Sequence, residues 1–265
     1  MVILKKTILN IFIVFATVYA LFGLFLFFYQ KSMIYYPDSQ DFDSCQGFNA
    51  YEKLNIDGTR FYFKQSTQDK IIIYYHGNAG SACDRSRYKT IFERSDASVI
   101  FAEYTGYSND NVKPSRKQIL KDVENIHEYV TEKKYGNIIV YGQSIGSGPA
   151  SYHAHLGDVD GLILVAPFSN LDDLVQSKYI IYPASILLRE KYDNIKWLRD
   201  YDGSLLIVRG DKDLVIPNKF SKELFEKASA NNKEYVLIES KGHNDIWSSS
   251  LFQETISNYI IGTQN

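Results

Sequence analysis

The stretch NIIVYGQSIGSGPA, residues 137–150, decides the fold. Its opening, Asn137–Tyr141, is an apolar, β-branched run of the kind found in strands covered on both faces. Gly142-Gln143-Ser144-Ile145-Gly146 follows at once, and the small residues Ser147, Gly148 and Ala150 open what reads as a helix. A GxSxG turn between strand and helix needs its glycines because neighbouring atoms crowd a strained serine. That strain presents the Ser144 Oγ at the carboxyl edge of a parallel sheet. The helix start behind it offers unpaired N–H groups and a favourable dipole to a developing oxyanion.

On either side, similar apolar runs recur at Ile71–Tyr75, Val99–Tyr104, Gly161–Ala166, Leu205–Arg209 and Tyr235–Glu239. Tyr51–Ile56 and Arg60–Lys64 read as a hairpin around Asp57-Gly58. Between the runs, Pro114–Lys134 sets Ile119, Leu120, Val123, Ile126 and Val130 on one helical face. Pro217–Ala230 and Asp245–Ile261 also read as helices. Alternating strands and helices predict an α/β fold with a mostly parallel central sheet. Phe168–Trp197 breaks the rhythm, being helical in pattern without a strand, and is expected to form a short cap over the site. Its Tyr179, Tyr182, Ile186 and Leu187 either line an acyl pocket or pack the cap onto the sheet, two readings of equal standing.

A length of 265 residues suits one large domain, or a domain with an appendage. With 29 Lys+Arg against 31 Asp+Glu, the net charge of -2 argues against a chain built to grip nucleic acid. Hydrophobic residues at 45% and charged residues at 23% exclude bulk disorder. Cys45 and Cys83 make neither a disulfide framework nor a zinc motif, and one bridge in an oxidising compartment stays open. From Thr7 to Tyr29 no residue carries a formal charge, enough helix for a hydrocarbon core of ~30 Å. The run exceeds a signal peptide's apolar region and has no small-x-small cleavage site near Phe25–Ser32, so an uncleaved anchor is expected. Residues 1–30 are thus read as the membrane anchor and residues 31–265 as the catalytic domain. Lys5 and Lys6 precede the run and Lys31 stands alone after it, which favours a cytoplasmic N-terminus and a catalytic domain on the far side.

A serine hydroxyl is a weak nucleophile unless a base takes its proton and an acid orients that base. Of the five histidines, His243 lies in KGHND (241–245), just past the last strand, where a loop would deliver an imidazole to the sheet's carboxyl edge. His127 falls inside a helix, and His153 and His155 follow the nucleophile on its own helix, pointing away from the site. His76 reads as a brace for the loop His76-Gly77-Asn78-Ala79-Gly80. For the acid, Asp211 and Asp213 compete in RGDKDLVIP (209–217), and Asp213 is preferred because Asp211 sits in the tight turn, where a short carboxylate serves backbone N–H groups. Asp245, two residues from His243, suits a cap for the last helix. The order Ser144, Asp213, His243 is the chain order of an α/β-hydrolase triad. The oxyanion hole is assigned to the N–H groups of Ile145 and Asn78, with Ala79 as the alternative to Asn78.

Together these landmarks resemble the α/β-hydrolase superfamily, and within it the membrane-anchored branch of bud-emergence-suppressor-like hydrolases and α/β-hydrolase-domain depalmitoylases. The matching segments are QKSMIYYP (30–37), YYHGNAG (74–80), GQSIGSGPA (142–150), APFSNL (166–171), GDKDLVIP (210–217) and KGHND (241–245). The resemblance implies a serine hydrolase acting on carboxylic esters or thioesters, without metal or organic cofactor. Its substrate would be a small or lipid-like acyl ester. The family's acidic-Tyr/Phe-Arg-Gly-Tyr/Phe-Gly segment stands here as Glu103-Tyr104-Thr105-Gly106-Tyr107-Ser108, without the arginine. The cysteine-rich N-terminus of the depalmitoylases is absent too, so protein depalmitoylation is not implied. Two rivals remain: a prolyl-aminopeptidase-type peptidase, which needs a deeper acidic cap, and a non-catalytic tethered interaction protein, which would ordinarily have lost a triad residue.

Overall fold

The computed structural model describes residues 2–263. Helix α1 (Val2–Ile34) is unbroken and, at ~1.5 Å per residue, about 50 Å long. It is the one helix among the described residues that is long and apolar enough to cross a membrane. A hairpin follows, β1 (Glu52–Ile56) and β2 (Thr59–Lys64), paired antiparallel. Its turn residues Asp57 and Gly58 both have positive φ, 50° and 87°, the geometry that lets a two-residue turn follow the strands' twist. In chain order come β3 (Lys70–Tyr75), α2 (Lys89–Glu93), β4 (Ser98–Glu103), α3 (Arg116–Lys133), β5 (Asn137–Gln143), α4 (Ser147–Leu156) and β6 (Gly161–Val165). The cap follows as α5 (Leu171–Lys178), α6 (Ala184–Leu187) and α7 (Asn194–Trp197). Then β7 (Ser204–Gly210), α8 (Asn218–Lys227), β8 (Asn232–Ile238) and α9 (Ser250–Gly262) close the chain.

The eight strands form one sheet in the order β1-β2-β4-β3-β5-β6-β7-β8. β2 meets β4 antiparallel, and every pairing from β4 through β8 is parallel. The chain leaves β3 toward β4 on one side and later returns to β5 on the other. The carboxyl ends of β3 and β5 therefore flank a reversal of strand order, where open α/β sheets hold their ligands.

Alternate side chains of the parallel strands face opposite layers, as a two-residue period dictates. Ile71, Ile73 and Tyr75 of β3 join the layer of α3, α4 and α8, with Ile119, Val123, Ile126, Ala150 and Leu224. Ile72 and Tyr74 join the layer of α2 and α9, with Phe92, Phe252, Ile256 and Ile260. The second layer is strongly aromatic: Tyr74 stacks on Tyr141 at 5.0 Å between ring centroids, and Phe48 stacks on Tyr62 at 4.3 Å. The amphipathic face expected for Pro114–Lys134 is buried, and the helix starts at Arg116 because Ser115 caps it, accepting the Gln118 N–H.

Cys45 and Cys83 form a disulfide with Cα atoms 5.8 Å apart. The bridge ties the segment that follows α1 to the loop after β3. The expected cap is present, though its helices are only eight, four and four residues long. Irregular backbone, partly bonded to α1, makes up the rest.

Candidate active site

Three loops at the carboxyl edge bring Ser144, Asp213 and His243 together. Ser144 directly follows β5 at φ 54°, a left-handed conformation that a non-glycine residue adopts only where its surroundings hold it. Those surroundings are close backbone. A side chain at Gly146 would lie 2.4 Å from the Tyr75 carbonyl oxygen, and one at Gly142 would lie 2.4 Å from the Gly146 oxygen. The glycines of the motif therefore let β3, the turn and α4 pack without a gap.

Ser144 Oγ lies 2.9 Å from His243 Nε2, and His243 Nδ1 lies 2.8 Å from Asp213 Oδ2. The other carboxylate oxygen of Asp213 accepts the backbone N–H groups of Val215 and Ile216, both at 2.9 Å. Burial opposes ionisation of Asp213, but the His243 hydrogen bond and charge, with these two N–H groups, outweigh it and hold the carboxyl below its ordinary value. A carboxylate fixed on one edge and bonded to Nδ1 on the other leaves Nε2 facing the serine hydroxyl as acceptor.

The geometry reverses the reason for preferring Asp213 over Asp211. Asp213, not Asp211, serves the backbone of the turn; the Asp211 carboxylate is partly exposed, 3.7 Å from Lys212 Nζ. Asp245 does not cap the last helix. It accepts the Gly242 N–H at 2.7 Å, bracing the histidine loop, while Ser249 caps α9.

Asn78 and Ile145 both line the cavity beside Ser144. The loop carrying Asn78 is fixed from three sides. Its carbonyl accepts the Tyr36 N–H at 3.0 Å and the Tyr107 hydroxyl at 2.8 Å, and its side-chain amide donates to the Ile34 carbonyl at 3.3 Å. Ala79 is held through a bridge to Tyr36. His76 is fully buried, and its Nδ1 donates to the Gly77 carbonyl at 2.7 Å. The ring stacks on Tyr104, whose hydroxyl donates to the His76 carbonyl at 2.8 Å. His127 is half-buried and edge-on to His153, which accepts or donates at Tyr75 Oη (2.8 Å), and His155 is exposed.

The Glu103–Ser108 segment thus supplies two tyrosine hydroxyls that brace the proposed oxyanion loop. Thr105, at the position of the missing arginine, donates its N–H and hydroxyl to buried Asp122, each at 2.8 Å. An arginine reaches the segment from elsewhere: Arg60 of β2 donates to the Tyr107 carbonyl at 2.6 Å and to the Ser108 carbonyl at 3.3 Å. Nothing in its spacing links Arg60 to this segment, since the pairing of β2 with β4 creates the neighbourhood.

Above Ser144 lies a cavity of about 280 Å³ with mostly apolar walls. Tyr179, Tyr182 and Leu187 line it, whereas Ile186 points outward and is 75% exposed. Sequence reasoning missed the opposite wall, which is made by Leu26, Gln30, Met33 and Ile34 of α1. The apolar run Thr7–Tyr29, read as a membrane segment, gives no sign of a pocket. Among the described residues no group of three His, Cys, Asp or Glu is placed to hold a metal ion.

A carboxyl-edge serine elbow at the strand reversal of a mostly parallel, eight-stranded sheet is the arrangement of the α/β-hydrolase fold, and comparisons with known proteins agree on that fold. No family model matches the chain. An uncharacterized protein of Mycobacterium tuberculosis is 23% identical over 234 residues, 84% of this chain and 83% of its own length. A putative alpha/beta hydrolase, L404 of Acanthamoeba polyphaga mimivirus, is 25% identical over 221 residues, 74% of this chain and 81% of its own. Human alpha/beta hydrolase domain-containing protein 17C is 24% identical over 234 residues, 79% of this chain and 68% of its own. Among solved structures, the Pyrococcus furiosus esterase PF2001 superposes with a TM-score of 0.67 at 14% identity, over 87% of this chain and 97% of its own. Est1E of Butyrivibrio proteoclasticus, solved with ferulic acid, gives 0.62 at 15% identity, over 80% and 98%. The chain has the α/β-hydrolase fold and is similar in sequence to proteins named as alpha/beta hydrolases.

Proposed function

We propose that this chain is a membrane-anchored serine hydrolase that cleaves carboxylic esters or thioesters. The observation that carries the proposal is the run of hydrogen bonds Asp213–His243–Ser144 opening into an apolar cavity. Ser144 Oγ attacks the acyl carbonyl while His243 Nε2 takes its proton. The tetrahedral oxyanion lies against the N–H groups of Ile145 and Asn78. His243 then gives the proton to the departing alcohol or thiol. Water, deprotonated by the same imidazole, attacks the acyl-enzyme and releases the carboxylic acid.

The esterase named among the structural neighbours supports an ester substrate, and the apolar cavity supports an acyl one. A peptidase that holds a free amine needs a carboxylate in its pocket. Among the described residues the cavity wall has no Asp or Glu, and it carries Lys178. Residues 1–30 anchor the chain and residues 31–265 carry the chemistry, with residues 168–197 as the cap. The catalytic part lies on the non-cytoplasmic side. Lys5 and Lys6 before the apolar run support that side, as does a disulfide on the catalytic part, since such bonds persist in oxidising compartments.

The test is turnover of p-nitrophenyl acetate through palmitate by the full chain in detergent micelles, beside its Ser144→Ala variant. Hydrolysis and fluorophosphonate labelling that both vanish in Ser144→Ala are expected. Folded wild-type protein that neither labels nor turns over any ester would sink the proposal.

A further inference from the structure

The anchor is more than a tether, because its last turns touch the place where a substrate would sit. α1 and the cap are joined at two levels. Near the catalytic domain, Gln30 accepts the Arg189 and Glu190 N–H groups at 2.6 and 3.3 Å and donates to the Leu187 carbonyl at 3.2 Å. Farther along, the Tyr19 hydroxyl donates to the Ile181 carbonyl at 2.7 Å, and the Tyr182 hydroxyl donates to the Tyr19 carbonyl at 3.0 Å. The Tyr19 and Tyr182 rings stack with centroids 4.5 Å apart.

These levels fix the depth of the cap relative to a bilayer. Charge reappears on the far side of the apolar run at Lys31 and at Arg189, whose guanidinium lies over the Phe27 ring. That collar marks the membrane surface on the catalytic side. Tyr19 lies eight residues deeper than Phe27, about 12 Å along the helix at ~1.5 Å per residue. The cap tip bonded to it bears Ile180 and Ile181, 81% and 69% exposed. A soluble surface has no reason to present such a pair beside an apolar helix, and a hydrocarbon leaflet covers both.

Between helix and cap runs the cavity, its wall extending from Ser144 to Leu26, one residue on the membrane side of Phe27. Building on the serine hydrolase reading, we propose that α1 and the cap form an acyl channel that opens sideways into the leaflet. Its substrate is the long-chain ester of a lipid resident in that same membrane. The molecules that neighbour the channel mouth at the depth of Leu26 and Tyr182 are lipids, and an acyl chain can enter there without crossing water. Ser144 then exchanges the lipid's alcohol for its own oxygen, releasing the alcohol with one proton. Hydrolysis returns the serine and frees one fatty acid.

The experiment reconstitutes the full chain in phosphatidylcholine vesicles that contain dioleoylglycerol and measures oleate release, with p-nitrophenyl acetate turnover as reference. Leu26→Trp and Met33→Trp narrow the helix wall and should each lower the oleate-to-acetate rate ratio about tenfold, the size expected when about two buried methylenes lose their site. Phe12→Trp, farther up the same helix, should keep the wild-type ratio. Oleate release should also require enzyme and dioleoylglycerol in the same vesicles. An unchanged ratio in both wall variants, or equal release from separate vesicles, overturns the channel. Turnover of an S-palmitoyl peptide in such vesicles with none of dioleoylglycerol overturns the lipid assignment. Loss of acetate turnover and fluorophosphonate labelling in the wild type would instead refute the hydrolase reading itself.

Discussion

Asp213 and Asp211 stand two residues apart in one turn, and only the first reaches His243. What separates them is that residues 213–216 fold back so that one carboxylate oxygen satisfies two N–H groups while the other points at the imidazole. No spacing rule conveys that, and the geometry reverses the reason for which the sequence favoured Asp213 over Asp211. An asparagine at 213 can keep the backbone bonds but favours the wrong imidazole tautomer, which costs about four orders of magnitude in a comparable triad. Asp213→Asn is therefore expected to lower kcat on p-nitrophenyl butyrate by about that much, while Asp211→Asn stays near wild type. Equal losses in the two variants would remove Asp213 from its role. The lowered pKa of Asp213 has a definite sign: its stabilising interactions are complete above the ordinary carboxylate value and fade only as pH falls through the lower folded value.

Helix α4 carries the buried consequence of its position behind Ser144. His153 is fully buried, and burial, with the nearby His127, pushes its pKa down to about 3. The folded protein thus refuses a proton that the unfolded chain accepts below about 6.5. Stability contributed by neutral His153 is whole above that value and declines as pH falls toward 3. His153→Gln, which retains a polar partner for the Tyr75 hydroxyl, should flatten the dependence of unfolding free energy on pH between 4 and 6 by about one proton. Urea titrations across that range check it. Elements of this kind were legible: continuous apolar runs gave the parallel strands, and a 3.6-residue period gave α3. The cap was legible only as an interruption, since its short helices are held by long-range bonds such as Gln30 to Arg189 and Glu190. Asp245 was misread because a carboxylate before a helix suits a cap, and the loop's Gly242 N–H competed successfully for it.

At the scale of the whole molecule, the disulfide clamps the segment leaving α1 onto the aromatic layer under β2 and β4. Phe48, three residues past Cys45, packs between Tyr62 and Phe101. Two cysteines 38 residues apart said nothing of this, because only the folded path brings them together. Closing a loop of that length restricts the unfolded chain by about 4 kcal/mol on the chain-entropy model. The Cys45→Ala/Cys83→Ala variant should lose stability of that order in urea unfolding while its folded fraction still labels with fluorophosphonate. The three residues of the proposed triad and their chain order could be picked out from the sequence, whereas a route for substrate to reach them depends on which surfaces the fold sets face to face. One such surface is a helix that runs from Val2 to Ile34 without a break. On the proposed anchoring, such a helix would act as a lever: a thicker or thinner bilayer that changes its tilt would also move the wall beside Ser144. Membrane thickness would then bear on the proposed catalysis mechanically, without any ligand.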